Sequence, residues 1–91
     1  MAVYVDHART PYRGMKMSHM IADTPQELIA MADRIGVQRR WIQYPGTAKE
    51  HFDICDTKRS AALAAGARPV TSRDIVKKIR ARSELYAVRT S

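Results

Sequence analysis

The residues of this chain best suited to chemistry lie in KEHFDICDTKR, residues 49–59, where His51, Asp53 and Cys55 alternate with Phe52 and Ile54. Alternate residues of an extended strand point to the same side. This stretch would therefore present an imidazole and a carboxylate together. Such a pair could ligate a divalent metal or share a proton. Cys55 could lengthen the row to His-x-Asp-x-Cys, but a small thiol packed beneath the following helix is the simpler reading. No further ligand stands at a recognisable spacing, so the stretch taken alone is equally an alternating strand edge.

Three other residues could join it. Asp6 directly follows the apolar run AVYV. In α/β folds ligands bind at the carboxyl ends of strands, so a carboxylate there suits a metal or a phosphate-bearing ligand. The competing reading is a turn or capping aspartate. His19 shares a face with Met15, Met17 and Ile21 and precedes Asp23 by four residues. A histidine in apolar company is more often a hydrogen-bonded core residue than a ligand. Asp6, His19, Asp23, His51 and Asp53 could converge if their segments are neighbours. The set would then suit a magnesium or manganese hydrolytic site with Asp6, His51 and Asp53 as its catalytic groups. A spread beyond about 10 Å would exclude a shared ion, because ligand bonds are near 2 Å.

Positive charge supplies the second set of candidates. The net charge is +7, and residues 49–91 carry +5 of it, with seven bases against two acids from Arg68 onward. Such a surface favours polyanions through counterion release, or steers an acidic protein partner. QRRWIQYPGTAK, residues 38–49, sets Arg39, Arg40 and Lys49 among Trp41 and Tyr44. Guanidinium groups reach phosphates while aromatic faces stack on bases. Alternatively Trp41 faces the core and the arginines cover it with their stems. Lys58 and Arg59, at a helix start, could hold an anion, although Asp56 would compete there as the cap. Arg73, Lys77 and Arg80 share the outer face of the last helix.

The elements that must position these residues follow from pattern. AVYV reads as a buried strand, residues 7–14 as a loop and residues 15–23 as a second strand. Thr24, Pro25 and Glu27 form a capping box ahead of a helix with Leu28, Met31, Ala32 and Ile35 on its apolar stripe and Gly36 beyond its end. WIQY reads as a short strand closed by Pro45-Gly46, and HFDIC leads into an alanine-rich helix over residues 56–65, capped by Asp56. PVT, residues 69–71, is a brief strand before a last helix with Ile75, Val76, Ile79 and Tyr86 on its inner side. The expected class is α/β: a small mixed or partly parallel sheet of about four strands with three helices, in the order β-β-α-β-α-β-α.

Ninety-one residues make one small domain, placed at residues 1–86 with a frayed tail at 87–91. A single cysteine forbids an internal disulfide and fits a reducing cytoplasm. No run approaches the roughly 18 apolar residues of a membrane helix, and the first residues lack the basic and apolar regions of a secretory signal.

Two resemblances add to this reading. FDICDTKRSAALAAGARPVTSRD resembles the second half of PIN-type ribonucleases, and Asp6 after VYV resembles their first strand. More extensively, MAVYVDHA, PYRG, HMIADTPQELIAMADRIG, HFDI and KRSAALAAGARPV, spanning residues 1–75, resemble domain-of-unknown-function family 4031 of bacteria and phages. The family's acidic pair corresponds to Asp6-His7 here, and its His-aromatic-Asp triplet to His51-Phe52-Asp53. Some members join the domain to a phosphohydrolase-type domain, which implies work on nucleotides or nucleic acid. Together with the basic charge, the resemblance leads to the expectation of a phage or prophage protein binding a phosphate-rich ligand, nucleic acid or nucleotide. From the charge and aromatic pattern, the binding surface would combine Arg39, Arg40, Trp41, Lys58, Arg59 and the bases of the last helix, with His51 and Asp53 lining a pocket. The alternatives are a metal-dependent nuclease or phosphohydrolase, and a phage factor that docks its basic face on an acidic host protein.

Overall fold

The computed structural model describes residues 2–90, the stretch 86–90 by its backbone alone. Five strands form one sheet: β1 (Val3–Val5), β2 (Thr10–Tyr12), β3 (Met15–Ala22), β4 (Phe52–Cys55) and β5 (Arg68–Pro69). Three helices accompany it: α1 (Pro25–Ile35), α2 (Asp56–Ala64) and α3 (Ser72–Thr90). This is the expected α/β class with a mixed sheet, since β1 and β5 run parallel while all pairings of β3 are antiparallel.

The eight-residue strand β3 organises the sheet. One of its edges pairs first with β2, at Thr10↔Met17, and then with β1, at Val5↔Met20. Its other edge pairs with β4, from Met17↔Cys55 to Met20↔Phe52. The chain therefore leaves the ladder between β1 and β2, and residues 6–9 make that excursion. Residues 7–14 are consequently not all loop: Thr10–Tyr12 pairs back on β3 through a turn at Arg13-Gly14. Period-2 alternation misses this strand because all three of its residues are exposed.

Alternation does set the two faces of the rest. Val3, Val5, Met20, Ala22, Phe52 and Ile54 meet Leu28, Met31, Ala32 and Ile35 of α1 and Ala62 of α2 in the main core. The opposite face carries a smaller cluster, Tyr4 and Ile21 with Ile75, and Ile79 and Val70 packed beside them. Two helices thus cover one face, and α3 covers part of the other. Arg82 of α3 donates to the carbonyls of Ala22 and Ala48, fixing the helix over the Ala22 end of β3. Met17 and His19, farther from that end, are left only half-buried.

Other expectations change as well, and Val76, expected on the inner side of the last helix, is exposed. WIQY is not a strand: Arg39–Trp41 is a 3₁₀ turn, and an isolated bridge, Gln43↔His51, is its nearest approach to the sheet. The last strand is Arg68–Pro69 rather than 69–71, because Thr71 is taken as a cap, its hydroxyl accepting from the Asp74 N–H and its own N–H donating to the Asp74 carboxylate. Asp56 does not cap α2, whose cap position is Cys55; it lies in the first turn and pairs with Arg9 at 3.0 Å. Trp41 is 57% exposed and does not face the core. The backbone of α3 runs on to Thr90, while the Tyr86 side chain and Ser91 lie outside the described residues. No helix among the described residues is long and apolar enough to cross a membrane.

Thr24 caps α1 as the sequence requires, but the Glu27 carboxylate accepts from the Thr24 hydroxyl, at 2.9 Å, rather than from the Thr24 N–H of a full capping box. Thr24 is extended and its hydroxyl accepts from the Glu27 N–H at 3.2 Å, while Gly36, with φ 80°, donates to the carbonyls of Ala32 and Asp33. Removing a Thr cap of this kind costs about 1 kcal/mol. Thr24→Ala is therefore expected to lower the thermal midpoint by about 4–8 °C, the shift per kcal/mol for a domain this small, read by circular dichroism. An unchanged midpoint would show that the cap contributes nothing.

Candidate metal centre

Three side chains of the sheet's open face meet where α3 does not reach. His19 and Asp53 are direct cross-strand partners on β3 and β4. His51, two residues before Asp53, projects to the same side and lies diagonally across from His19. One nitrogen from each imidazole and one carboxylate oxygen all fall within 4.8 Å of one another. His51 Nε2 is 3.3 Å from Asp53 Oδ1, and His19 Nε2 is 3.9 Å from the same oxygen. Metal bonds of about 2.1 Å place ligand atoms roughly 3.0–3.4 Å apart, so small rotations of these side chains would close the set on an ion.

The outer nitrogen of each ring is already engaged. His51 Nδ1 lies 2.6 Å from the Lys49 carbonyl oxygen. That oxygen can only accept, so Nδ1 carries the proton and Nε2 faces the cluster. His19 Nδ1 lies 2.7 Å from Asp6 Oδ2. Both rings thus have the arrangement of metal-ligating histidines, with the far N–H held by a carbonyl or a carboxylate.

Asp6 stands behind the cluster rather than in it. Its side chain is fully buried. Oδ1 accepts the N–H of His19 at 2.8 Å and of Ala8 at 3.2 Å, and Oδ2 accepts the His19 ring and the Ser72 hydroxyl at 3.1 Å. With both oxygens committed, Asp6 is not positioned as a direct ligand. It is the turn aspartate that the sequence also allowed, and it orients His19. His19 in turn is no core histidine: its side chain is 39% exposed.

The charges follow from these contacts. Burial pushes the Asp6 carboxyl up, but the hydrogen bonds from the His19 backbone, the His19 ring and Ala8 outweigh it, and the group lies below the ordinary carboxylate range. His51 is raised, chiefly by its hydrogen bond to Asp53 and against burial, with the Lys49 carbonyl adding to the rise. Asp53 is lowered, chiefly by the same bond to His51.

The other candidates do not join. Asp23 accepts from the Ala2 N–H at 2.7 Å and the Tyr4 hydroxyl at 3.1 Å, beyond the far end of β3. Arg39 pairs with Asp33 at 2.6 Å, and Arg40 lies over the Trp41 ring at 4.8 Å. Lys58 donates to the Ile35 carbonyl at 2.9 Å, closing the end of α1, so it is not free for an anion at the start of α2. Arg59 does reach the centre's surroundings, donating through Nε to the Asp6 carbonyl at 2.7 Å. Arg73, Lys77 and Arg80 are exposed on α3. Cys55 is half-buried on the Asp53 side of β4 rather than beneath α2, and it does not belong to the cluster. Ser72 and the Lys49 carbonyl were not foreseen. A backbone acceptor leaves no mark in sequence, and Ser72 stands at the start of α3, where a serine is ordinary.

The family model described as protein of unknown function (DUF4031) matches residues 3–82. The chain belongs to that family. No curated protein and no solved structure matches it. The DUF4031 match includes Asp6, His19, His51, Asp53 and Ser72, and it reaches past the expected residues 1–75 into the middle of α3.

Two predictions follow from the charges and hydrogen bonds of the centre. Asp6→Ala leaves the part-buried His19 and Ala8 donors without their acceptor and is expected to cost about 2 kcal/mol, read from urea midpoints; a loss under about 0.5 kcal/mol would mean that water replaces the carboxylate at no cost. The ion pair His51–Asp53 should shape the stability of the metal-free protein. A lowered Asp53 contributes above its unfolded value of about 4 and loses its effect as pH falls through its folded value. A raised His51 contributes fully below about 6.5 and loses its effect as pH rises through its folded value. Stability should therefore decline on the alkaline side of about pH 6.5, although the net positive charge is falling there. Asp53→Asn should remove that alkaline decline in urea titrations; its persistence would assign the decline to other groups.

Proposed function

We propose that this DUF4031 domain is a metal-dependent phosphoester hydrolase, a nuclease or phosphohydrolase. The observation that carries the reading is the convergence of His19 Nε2, His51 Nε2 and Asp53 Oδ1 on an open face, with both imidazoles oriented from behind. Three protein ligands leave coordination positions for water and substrate, the pattern of catalytic rather than structural sites. Two imidazoles favour Zn²⁺ over Mg²⁺, which prefers oxygen ligands, while the carboxylate and the open positions for water still admit Mn²⁺. When bound, the ion would polarise a phosphoryl oxygen and lower the pKa of a coordinated water.

The choice of phosphoesters rests on charge. The net charge of +7 raises the local concentration of polyanions, and Arg59 is tethered to the Asp6 carbonyl beside the centre. Phosphate binding, the broader expectation from the sequence, becomes the ground state of this reaction. The Asp6 carboxylate makes the His19 imidazole a stronger donor, and its loss from such a position typically weakens metal affinity 10–100-fold.

The test is a calorimetric titration with Mn²⁺ and Zn²⁺, followed by cleavage assays on single-stranded and duplex oligonucleotides at about 50 mM salt, where electrostatic binding is strong. The expected outcome is one ion per chain and metal-dependent cleavage that Asp53→Ala and His51→Ala each reduce at least about 100-fold. Undiminished cleavage by Asp53→Ala, or no ion bound by the wild type, would sink the proposal.

A further inference from the structure

An exposed aromatic ring stands against the metal centre. The Tyr44 ring stacks on the His51 imidazole with centroids 6.1 Å apart and planes 27° from parallel. Tyr44 is nevertheless 58% exposed, so core packing does not explain its position. Its backbone is strained as well, with φ 51°, a left-handed conformation that bulky residues rarely adopt. Neighbouring contacts hold it there. The Tyr44 carbonyl accepts from the Thr47 hydroxyl at 2.8 Å and the Thr47 N–H at 3.2 Å. The carboxylate of Glu50, itself buried, accepts the Gly46 N–H at 2.7 Å. Backbone strain that the surroundings enforce is concentrated at functional sites, where it fixes a side chain that stability alone would not place.

Cations accompany the ring. Lys49 Nζ lies 5.9 Å from the Tyr44 centroid. Farther back along the same segment, Trp41 is 57% exposed under the Arg40 guanidinium. Exposed rings interleaved with cations, on a chain of net charge +7, match a ligand that alternates planar bases with phosphates. A duplex keeps its bases inside the stack, out of reach of a ring on a protein surface.

We infer that Tyr44 is a stacking platform for an unpaired nucleobase, and that the substrate of the metal centre is single-stranded nucleic acid. This rests on the hydrolase reading above and names its substrate class. A base on Tyr44 would bring the adjoining phosphate toward the His51 side of the centre. Tyr44 is a positioning residue in this scheme and takes no part in bond cleavage.

The experiment compares the full chain's affinity for a fluorescent twelve-nucleotide oligothymidylate and for an abasic strand of equal length, at about 50 mM salt with chelator. The wild type is expected to favour the base-bearing strand about tenfold or more. Tyr44→Gly removes the ring and suits the positive φ, so the fold is kept. It should weaken the base-bearing strand about 5–150-fold, the range for one lost stacking contact, and leave the abasic strand unchanged. Tyr44→Phe should behave as wild type. In Mn²⁺-dependent turnover the Tyr44→Gly loss should appear in KM more than in kcat. Equal wild-type affinity for the two strands, equal losses on both in Tyr44→Gly, or binding of neither strand would overturn the inference. Titration of the same proteins with Mn²⁺ and Zn²⁺ keeps the two proposals apart: a wild type that binds neither ion refutes the hydrolase, whereas intact metal binding without a base preference refutes only the role of Tyr44.

Discussion

The carboxylate of Asp6 is the contact on which the rest of this domain turns. At the end of β1 the chain must leave the ladder before it can return as β2, and this would strip the His19 N–H of its partner inside the sheet. Asp6 Oδ1 takes that hydrogen bond, at 2.8 Å, and also turns the chain through Ala8. Oδ2 holds the His19 ring and the Ser72 hydroxyl that opens α3. A buried carboxylate would ordinarily be costly, and here four donors offset that cost. The same group thus closes a gap in β3, anchors the start of the helix that half-covers the sheet, and fixes the tautomer of a candidate ligand. Fold and site are not separable at this residue.

The centre exists because the second face of the sheet is incompletely covered. α1 and α2 bury one face, which accounts for the alternating apolar positions of β3 and β4. α3 reaches Tyr4 and Ile21 but leaves Met17 and His19 half-buried. A histidine on the covered half would have been a core residue. The same alternation on the uncovered half yields a ligand. Strand periodicity therefore fixes which residues face together, while the path of α3 over Tyr4 and Ile21 decides which of them meet solvent.

This explains what could be read from the sequence. The Thr24 cap, the stripe of α1, the alanine-rich α2 and the pairing of His51 with Asp53 are local patterns, and each is present in the structure. The class of the sheet followed from alternation of strands and helices. What failed was non-local. The exposed strand β2 exists only because β3 is long enough to pair with it. Trp41 and Ile42 looked like a strand, but Arg39–Trp41 winds into a 3₁₀ turn, leaving one bridge, Gln43↔His51. His19 was ranked as core on the company of Met15, Met17 and Ile21, which is correct for its face and wrong for its depth. Lys58 read as an anion ligand because its bond to the Ile35 carbonyl joins positions 23 residues apart.

The charge of the molecule acquires meaning from this geometry. Basic residues distributed over a small domain attract any polyanion, and by themselves they select nothing. The structure removes several of them from contention: Arg39 pairs with Asp33, Arg9 with Asp56, and Lys58 closes α1. Arg59 and Lys49 remain beside the centre, one tethered to Asp6 and the other near the ring that stacks on His51. Long-range attraction can therefore bring a phosphate chain to the surface, while discrimination must come from short-range geometry, the ligand triad and its neighbouring aromatic. These two parts respond differently to salt, since screening weakens the first and leaves coordination and stacking largely intact. A domain built this way would lose affinity as ionic strength rises but keep its preference among strands.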